Sequence, residues 1–422
     1  MSVHGCGTGG RAIGGCVRLL LCVAVASCGT DIATRDSIDD LPRLRAVEDL
    51  RIGSQDDPDA GFSRLAAAAV DRDGNVFALE ALDFQIRVYD PAGNLLRRIG
   101  RQGGGPGEFD GLPFYGLKGD TLWTYDRESG RITLFDRTGR VLATGRTLGF
   151  QVPVRTGYGF LTPHTMRPDG RLAGWFTRVN YARSGPPADS LTSRPIPRVL
   201  FDASGAVVDT VGWLSAPPPR MVPPAGYHGA RSRSIKVGSQ SYSVPDPPTE
   251  LPVWEPLPDG HIIVGVPYAS SAETGALTVT RISDAGDTVY RRTLRYRPQP
   301  YTEELLDAAA AQQPRAWMNG VEVTKPVDAL VKSRLRAEMD FPAFRLPVQY
   351  SWLGADEGVW LRRTTDPGYL QHWIVLDAQG RLRGEVELPE NARLLWCGGD
   401  VAWAAVPDDL DVPWLVRYRI GR

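Results

Sequence analysis

From Leu44 to the C-terminus, apolar and polar residues alternate in short runs, each bounded by a tight-turn signal. The clearest unit reads Ile86-Arg-Val-Tyr-Asp90-Pro-Ala-Gly93-Asn-Leu-Leu, and Ile132-Thr-Leu-Phe-Asp136-Arg-Thr-Gly139 repeats it. Val199-Leu-Phe-Asp202-Ala-Ser-Gly205 and Trp373-Ile-Val-Leu-Asp377-Ala-Gln-Gly380 follow the same pattern, and Ile282-Ser-Asp284-Ala-Gly286 is a copy one residue shorter at its turn. Asp at the first and Gly at the fourth turn position is the type I preference, because the carboxylate caps the turn's amides and Gly tolerates positive φ. An aliphatic residue two places before each Asp (Val88, Leu134, Leu200, Ile282, Val375) marks a half-buried strand.

A second turn class precedes each of these hairpins: Asp73-Gly74, Gly119-Asp120, Asp169-Gly170, Asp259-Gly260, Glu357-Gly358 and Gly399-Asp400. An apolar strand follows each one, such as Val76-Phe77-Ala78-Leu79 or Ile262-Ile263-Val264. Together the two turns define four antiparallel strands per unit, with Asp90 and Asp136 standing 46 residues apart. That is the signature of a β-propeller blade. The sixth unit runs out at Ile420 without its fourth strand. Ile52-Gly-Ser-Gln-Asp-Asp-Pro-Asp-Ala-Gly-Phe62 aligns without gaps to Ile99-Gly-Arg-Gln-Gly-Gly-Gly-Pro-Gly-Glu-Phe109, so Leu44 to Ile52 reads as a fourth strand detached from its blade. The expectation is an all-β, six-bladed propeller over residues 44–422, closed by its N-terminal strand so that no edge stays open.

Asp71-Arg-Asp-Gly-Asn-Val-Phe, Ile86-Arg-Val-Tyr-Asp-Pro-Ala-Gly and Gly103-Gly-Gly-Pro-Gly-Glu-Phe resemble the NHL repeat. The chain as a whole resembles uncharacterised six-bladed propeller lipoproteins of bacteria, most strongly over 44–147. It departs in Pro- and Ser-rich stretches at 181–197 and 216–248, and in a small helical insert at about 302–339. In that insert Glu303-Glu304 suit a helix start after Thr302, and Pro326 suits the first turn of a second helix, Asp328 to Met339. Helices are foreign to a blade, so the insert is expected to pack on one face of the disc.

The N-terminus changes the picture from fold to location. Arg11 and Arg18 precede the apolar run Leu19 to Ala26, which is too short to span a bilayer and fits a secretory signal peptide. Val25-Ala26-Ser27-Cys28 resembles the lipobox of bacterial lipoproteins. The resemblance implies cleavage after residue 27, a diacylglycerol on Cys28, and 28–43 as lipidated Cys and tether. The same resemblance implies attachment to a membrane through that lipid, and Gly29 rather than Asp after the Cys then implies the outer membrane, facing the periplasm. Of 5 Cys, only Cys397 would remain without lipid in the mature chain, which excludes an internal disulfide.

Composition adds exclusions. The 422 residues carry 48 Lys+Arg against 49 Asp+Glu, so no bulk basic charge invites nucleic acid. The loop Gly103 to Gly107 lacks the Gly-Lys-Ser/Thr ending of a phosphate loop and is explained as a turn between blades. His164, His228, His261 and His372 are scattered singly, so no zinc site is expected. No Gly-x-Ser-x-Gly elbow is present. Calcium, held by carboxylates around the tunnel as in six-bladed lactonases, stays open, although Glu255 is the one carboxylate placed within an innermost strand.

Tyr115, His164, Trp254, Glu255, Tyr350 and Trp352, with Trp396, fall on strands that should line the tunnel or its rim. Such aromatics either clasp a protein, peptide or glycan ligand, with Glu255 as polar anchor, or fill the wedges between blades. The function expected is a binding or scaffolding module with no catalytic residues assigned. The alternative is a tunnel-mouth enzyme of calcium-dependent lactonase, esterase or lyase type, because fold alone does not choose.

Overall fold

The computed structural model describes residues 35–422, apart from 58–59, 148–157, 179–195, 215–231, 238–239, 246–250, 307–314, 319–320, 324–328, 339–341 and 366–369. The signal peptide, Cys28 and the start of the tether lie outside the described residues.

The period-2 patterning becomes antiparallel strands within each blade. Sheet A comprises Leu65–Val70, Val76–Glu80, Gln85–Tyr89 and Leu95–Ile99. Sheet B comprises Pro113–Lys118, Thr121–Asp126, Arg131–Phe135 and Val141–Arg146. Sheet C comprises Tyr158–Met166, Leu172–Arg178, Ile196–Phe201 and Val207–Leu214. Sheet D comprises Leu251–Leu257, Gly260–Val266, Gly275–Ser283 and Thr288–Tyr296. Sheet E comprises Val348–Leu353, Val359–Arg363, Gln371–Leu376 and Leu382–Leu388. Sheet F contributes Arg393–Gly398, Val401–Pro407 and Pro413–Gly421.

These four-stranded blades stand in a propeller-like arrangement. The first strand of A lies against the first strands of B and F, B's against C's, C's against D's, and D's against E's. Buried apolar residues fill the seam between each pair. Phe109, Phe135 and Phe77 lie between A and B, and Trp123, Met166 and Phe201 between B and C. Leu294, Leu361 and Leu376 lie between D and E, Val386, Ala404 and Tyr418 between E and F, and Leu415, Trp403 and Leu65 between F and A. The core is therefore a set of wedges, not one central mass.

The sheet count differs from the six four-stranded units expected. Four sheets among the described residues are separate four-stranded units: A, B, C and one made of insertions. The other two are larger because N-terminal chain adds to them. Arg35–Ser37 runs parallel along Thr288–Tyr296, giving D a fifth strand. Arg43–Ile52 pairs antiparallel with Pro413–Gly421 and briefly parallel with Leu382–Leu388, which fuses E and F into one eight-stranded sheet.

The hairpin turns confirm their chemistry atom by atom. Asp90 Oδ1 accepts the amides of Ala92 and Asn94 at 2.9 and 2.8 Å, and Gly93 takes φ 92°. Asp136, Asp202 and Asp377 accept from the corresponding amides. Hydrogen bonds from the side chains of Asn94, Thr138 and Ser204, and then these amides, favour the ionised form and hold Asp90, Asp136 and Asp202 below the usual carboxylate range. A further turn of this geometry, unread in the sequence, starts at Asp408, whose Oδ1 accepts from Leu410 and Val412. Asp411 stands there at φ 61° where Gly was sought.

The shortened copy is a correction. The turn begins at Ser283, not Asp284: Gly286 N–H donates to Ser283 O at 3.0 Å, and Ser283 Oγ accepts the Asp287 amide at 3.1 Å. A serine hydroxyl can cap as a carboxylate does, and Asp284 is thereby released toward sheet C.

The Gly-rich loop is held as a turn. Arg131 Nη1 and Nη2 donate to Gly105 O and Gly104 O, both at 2.6 Å, as Arg87 Nη1 donates to Gly61 O at 2.6 Å in the aligned loop.

The insertions hold more strand than the composition indicated. Ser232–Val237, Gln240–Pro245, Arg315–Met318 and Val321–Val323 form one sheet, so the two stretches between blades fold together. Serine-rich alternation hid the first two strands. The expected helix is present as Ala329–Glu338, and residues 303–306 form a helical turn capped by Thr302 Oγ1, which accepts the Leu305 amide at 3.3 Å. Arg336 pairs with Glu303, tying the two helical pieces to each other.

Candidate functional site

The expected site residues sit on innermost strands because alternation there turns one set of side chains toward the neighbouring blade. The structure divides them by what each is already bonded to.

Tyr115 is spent on structure: its hydroxyl donates to Phe77 O at 2.7 Å, across the A–B seam. Burial pushes its phenol up far beyond the ordinary tyrosine range. The Tyr350 ring lies 5.6 Å under the Arg362 guanidinium, and burial lowers that guanidinium. Trp352 packs against the E–F wedge, and Trp396 against the F–A wedge. Trp254 pairs through its backbone with Ile263, while its side chain lies outside what is described. So the described aromatics serve chiefly as wedge filling.

His164 and Glu255 are different. The His164 ring stacks 4.1 Å from Trp175, and its Nε2 is buried with no hydrogen-bond partner. Burial, reinforced by the charge of Arg198, lowers it to about 3, so it stays a neutral imidazole. Glu255 accepts a hydrogen bond from Ser351 Oγ at 2.5 Å, linking the innermost strands of D and E. Burial raises its carboxyl to about 7, and the Ser351 bond opposes that rise. A carboxyl so raised can exchange a proton near neutral pH.

Cys397, on the innermost strand of sheet F, is buried, and its thiol is pushed well above the usual range by burial and then by Asp356 and Glu255. A thiol so placed is a poor nucleophile. The arrangement thus brings together Glu255 and Ser351, with Cys397 within reach of their charge. No hydrogen bond or ion pair among the described residues joins Tyr115 or His164 to them. Sequence reasoning missed Ser351, because nothing in Tyr-Ser-Trp distinguishes a serine that meets a carboxyl from one that faces solvent.

Among the described residues, no three His, Cys, Asp or Glu side chains gather as a metal site would require. No described helix is long and apolar enough to cross a membrane.

No family model matches the chain, and no curated protein matches it. Solved structures similar to it include a protein of Bacteroides fragilis inferred to be exported, with 12% identity, TM-score 0.45, and coverage of 92% of this chain and 98% of that one. Virginiamycin B lyase of Staphylococcus aureus shares 13% identity at TM-score 0.36, covering 88% of this chain and 99% of that one. The PQQ-bound aldose sugar dehydrogenase of Streptomyces coelicolor shares 12% at TM-score 0.37, covering 90% and 100%.

Proposed function

We propose that this chain is an exported, lipid-anchored six-bladed propeller of NHL-like repeats, closed by its N-terminal strand, which binds a protein, peptide or glycan in the cell envelope. The observation that carries this reading is the pairing of Arg43–Ile52 along Pro413–Gly421. It supplies the fourth strand that the last blade lacks, and chain from both ends then holds one blade. Cys28 precedes Arg35, where the chain already pairs with sheet D, by 7 residues, a leash of at most about 25 Å when fully extended. The mature protein is held by lipid on Cys28, at the outer membrane facing the periplasm. The long insertions at 181–197, 216–248 and 302–339 supply the recognition loops on this scaffold, and Glu255 is the polar anchor, with no resident cofactor.

Glu255 also favours the second reading, a tunnel-mouth enzyme, because a carboxyl near 7 can give and take a proton. Three experiments decide. Feeding cells an alkyne fatty acid should label the protein, and Cys28→Ser should abolish the label and release the chain from membranes; an unlabelled wild type contradicts the anchor. A panel of envelope glycans and peptides should raise the wild type's melting temperature, and less so in Glu255→Gln. Turnover of a lactone or ester, with or without calcium, that falls in Glu255→Gln would replace binding by catalysis.

A further inference from the structure

Between sheets D and E, away from Glu255, a cleft of about 120 Å³ opens beneath the N-terminal segment. Its walls are Tyr296 at the end of D's fourth strand, Arg297 and Arg345 on either side of the helical insert, Arg363 and Thr364 at the end of E's second strand, and Asp39. We propose that this cleft is an oxyanion site that takes a phosphate or the phosphate of a phosphomonoester.

Two independent observations carry it. The first is unanswered donors. Tyr296 is 4% exposed, yet its hydroxyl has no hydrogen-bond partner, and the buried Thr364 Oγ1 is also unmatched. Buried hydroxyls without partners are costly, and these two belong to residues that line the same cleft, where a bound oxyanion would complete them. The second is charge. Three guanidinium groups line the space against one carboxylate, Asp39.

Asp39 is itself engaged, because its Oδ2 accepts the Arg297 backbone amide at 2.8 Å and its Oδ1 stands 3.9 Å from Arg363 Nη1. Arg363 is further fixed by Glu385 at 2.7 Å and by Ile38 O. It therefore shapes the wall, while the exposed Arg297 guanidinium has no acidic partner among the described residues. The volume leaves room for a tetrahedral oxyanion. Guanidinium and hydroxyl donors converging from several elements suit such an anion better than a lone water.

The test uses the full mature chain with inorganic phosphate as probe. Phosphate at millimolar concentration should raise the melting temperature beyond the effect of sodium chloride at equal ionic strength. Calorimetry should show Tyr296→Phe and Arg297→Gln each weakening phosphate about tenfold, the worth of one hydrogen bond to a charged group. Both variants keep the fold within reach, since the first retains the ring in the core and the second lies on the surface. Unaltered affinity in both variants, acetate binding as tightly as phosphate, or no phosphate-specific shift in the wild type would overturn the proposal.

Vesicles distinguish the source. If the Cys28→Ser chain binds vesicles containing phosphatidic acid but not pure phosphatidylcholine, and Tyr296→Phe abolishes this, the phosphate belongs to a lipid headgroup. Phosphate binding without vesicle binding assigns a soluble phosphate.

Discussion

The seams on the two sides of sheet D are built from the same strand pattern, yet their described side chains differ in kind. Between D and E lie sixteen buried apolar residues, among them Leu294, Leu361, Ile374 and Leu376. Between C and D the described apolar core is Trp175, Ile196 and Leu214, with Ile263 packed against it. Beside it the described residues include a cluster of ion pairs. Arg198, 2% exposed, pairs with Asp284, which also meets Arg167 Nη1 at 2.5 Å. Arg198 further donates to Leu257 O, and Arg167 to Pro258 O at 2.8 Å. Burial, followed by the nearby Arg167, lowers the Arg198 guanidinium to about 10. An apolar seam degrades gradually as volume is lost, whereas a charged one fails when a single partner is removed.

Removing a partner is therefore the sharpest way to break the comparison. Asp284→Ala should cost about 4 kcal/mol in urea unfolding, because Arg198 is left buried and unpaired. Replacing Arg198 and Asp284 together by leucine should recover most of that loss. If Asp284→Ala costs under about 1 kcal/mol, the seam is not held by its charges. On the other side, Leu376→Ala should cost about 3 kcal/mol, the toll of a cavity at a fully buried site. A near-neutral result would mean the D–E wedge is loosely packed.

The pH dependence should separate the two seams by sign. His261, at the C–D seam, is lowered from 6.5 to about 4 by burial and by Arg198, and His164 is lowered to about 3. Their folded values are depressed, so the stability present above 6.5 is lost as pH falls toward 4 and below. Glu255, between D and E, is raised from 4.5 to about 7. Its contribution is present below 4.5 and is lost as pH rises to 7. Glu255→Gln should match wild type at pH 4.5 and exceed its stability by about 3 kcal/mol at pH 8. An advantage that does not grow with pH would show that Glu255 titrates normally.

Much of the fold was legible because its signals are local. Asp90, Asp136, Asp202 and Asp377 announce their turns through spacing alone, and the turns then set strand order. What stayed hidden depends on partners distant in sequence. Ser283 displaced Asp284 by one position, which sent a carboxylate across a seam that no local pattern describes. Asp408 makes the same turn as Asp90, but with Asp411 at positive φ it lacked the expected glycine. The strands Gln240–Pro245 and Arg315–Met318 meet only after about 75 residues of intervening chain, measured between their starts. For the site, Glu255 was legible as an acid on an innermost strand. Ser351 and the cleft around Tyr296 were not, since their meaning comes from neighbours on other sheets.

The proposed closure of a six-bladed ring rests on the pairing of Arg43–Ile52, and amide hydrogen exchange tests that strand most directly. Paired with Pro413–Gly421, its ladder amides should exchange as slowly as those of Val416 and Tyr418 on the partner strand, with opening energies near that of global unfolding. Exchange of residues 45–52 at the rate of an unstructured tether, while Val401–Pro407 stays protected, would contradict the closure and with it the six-bladed ring.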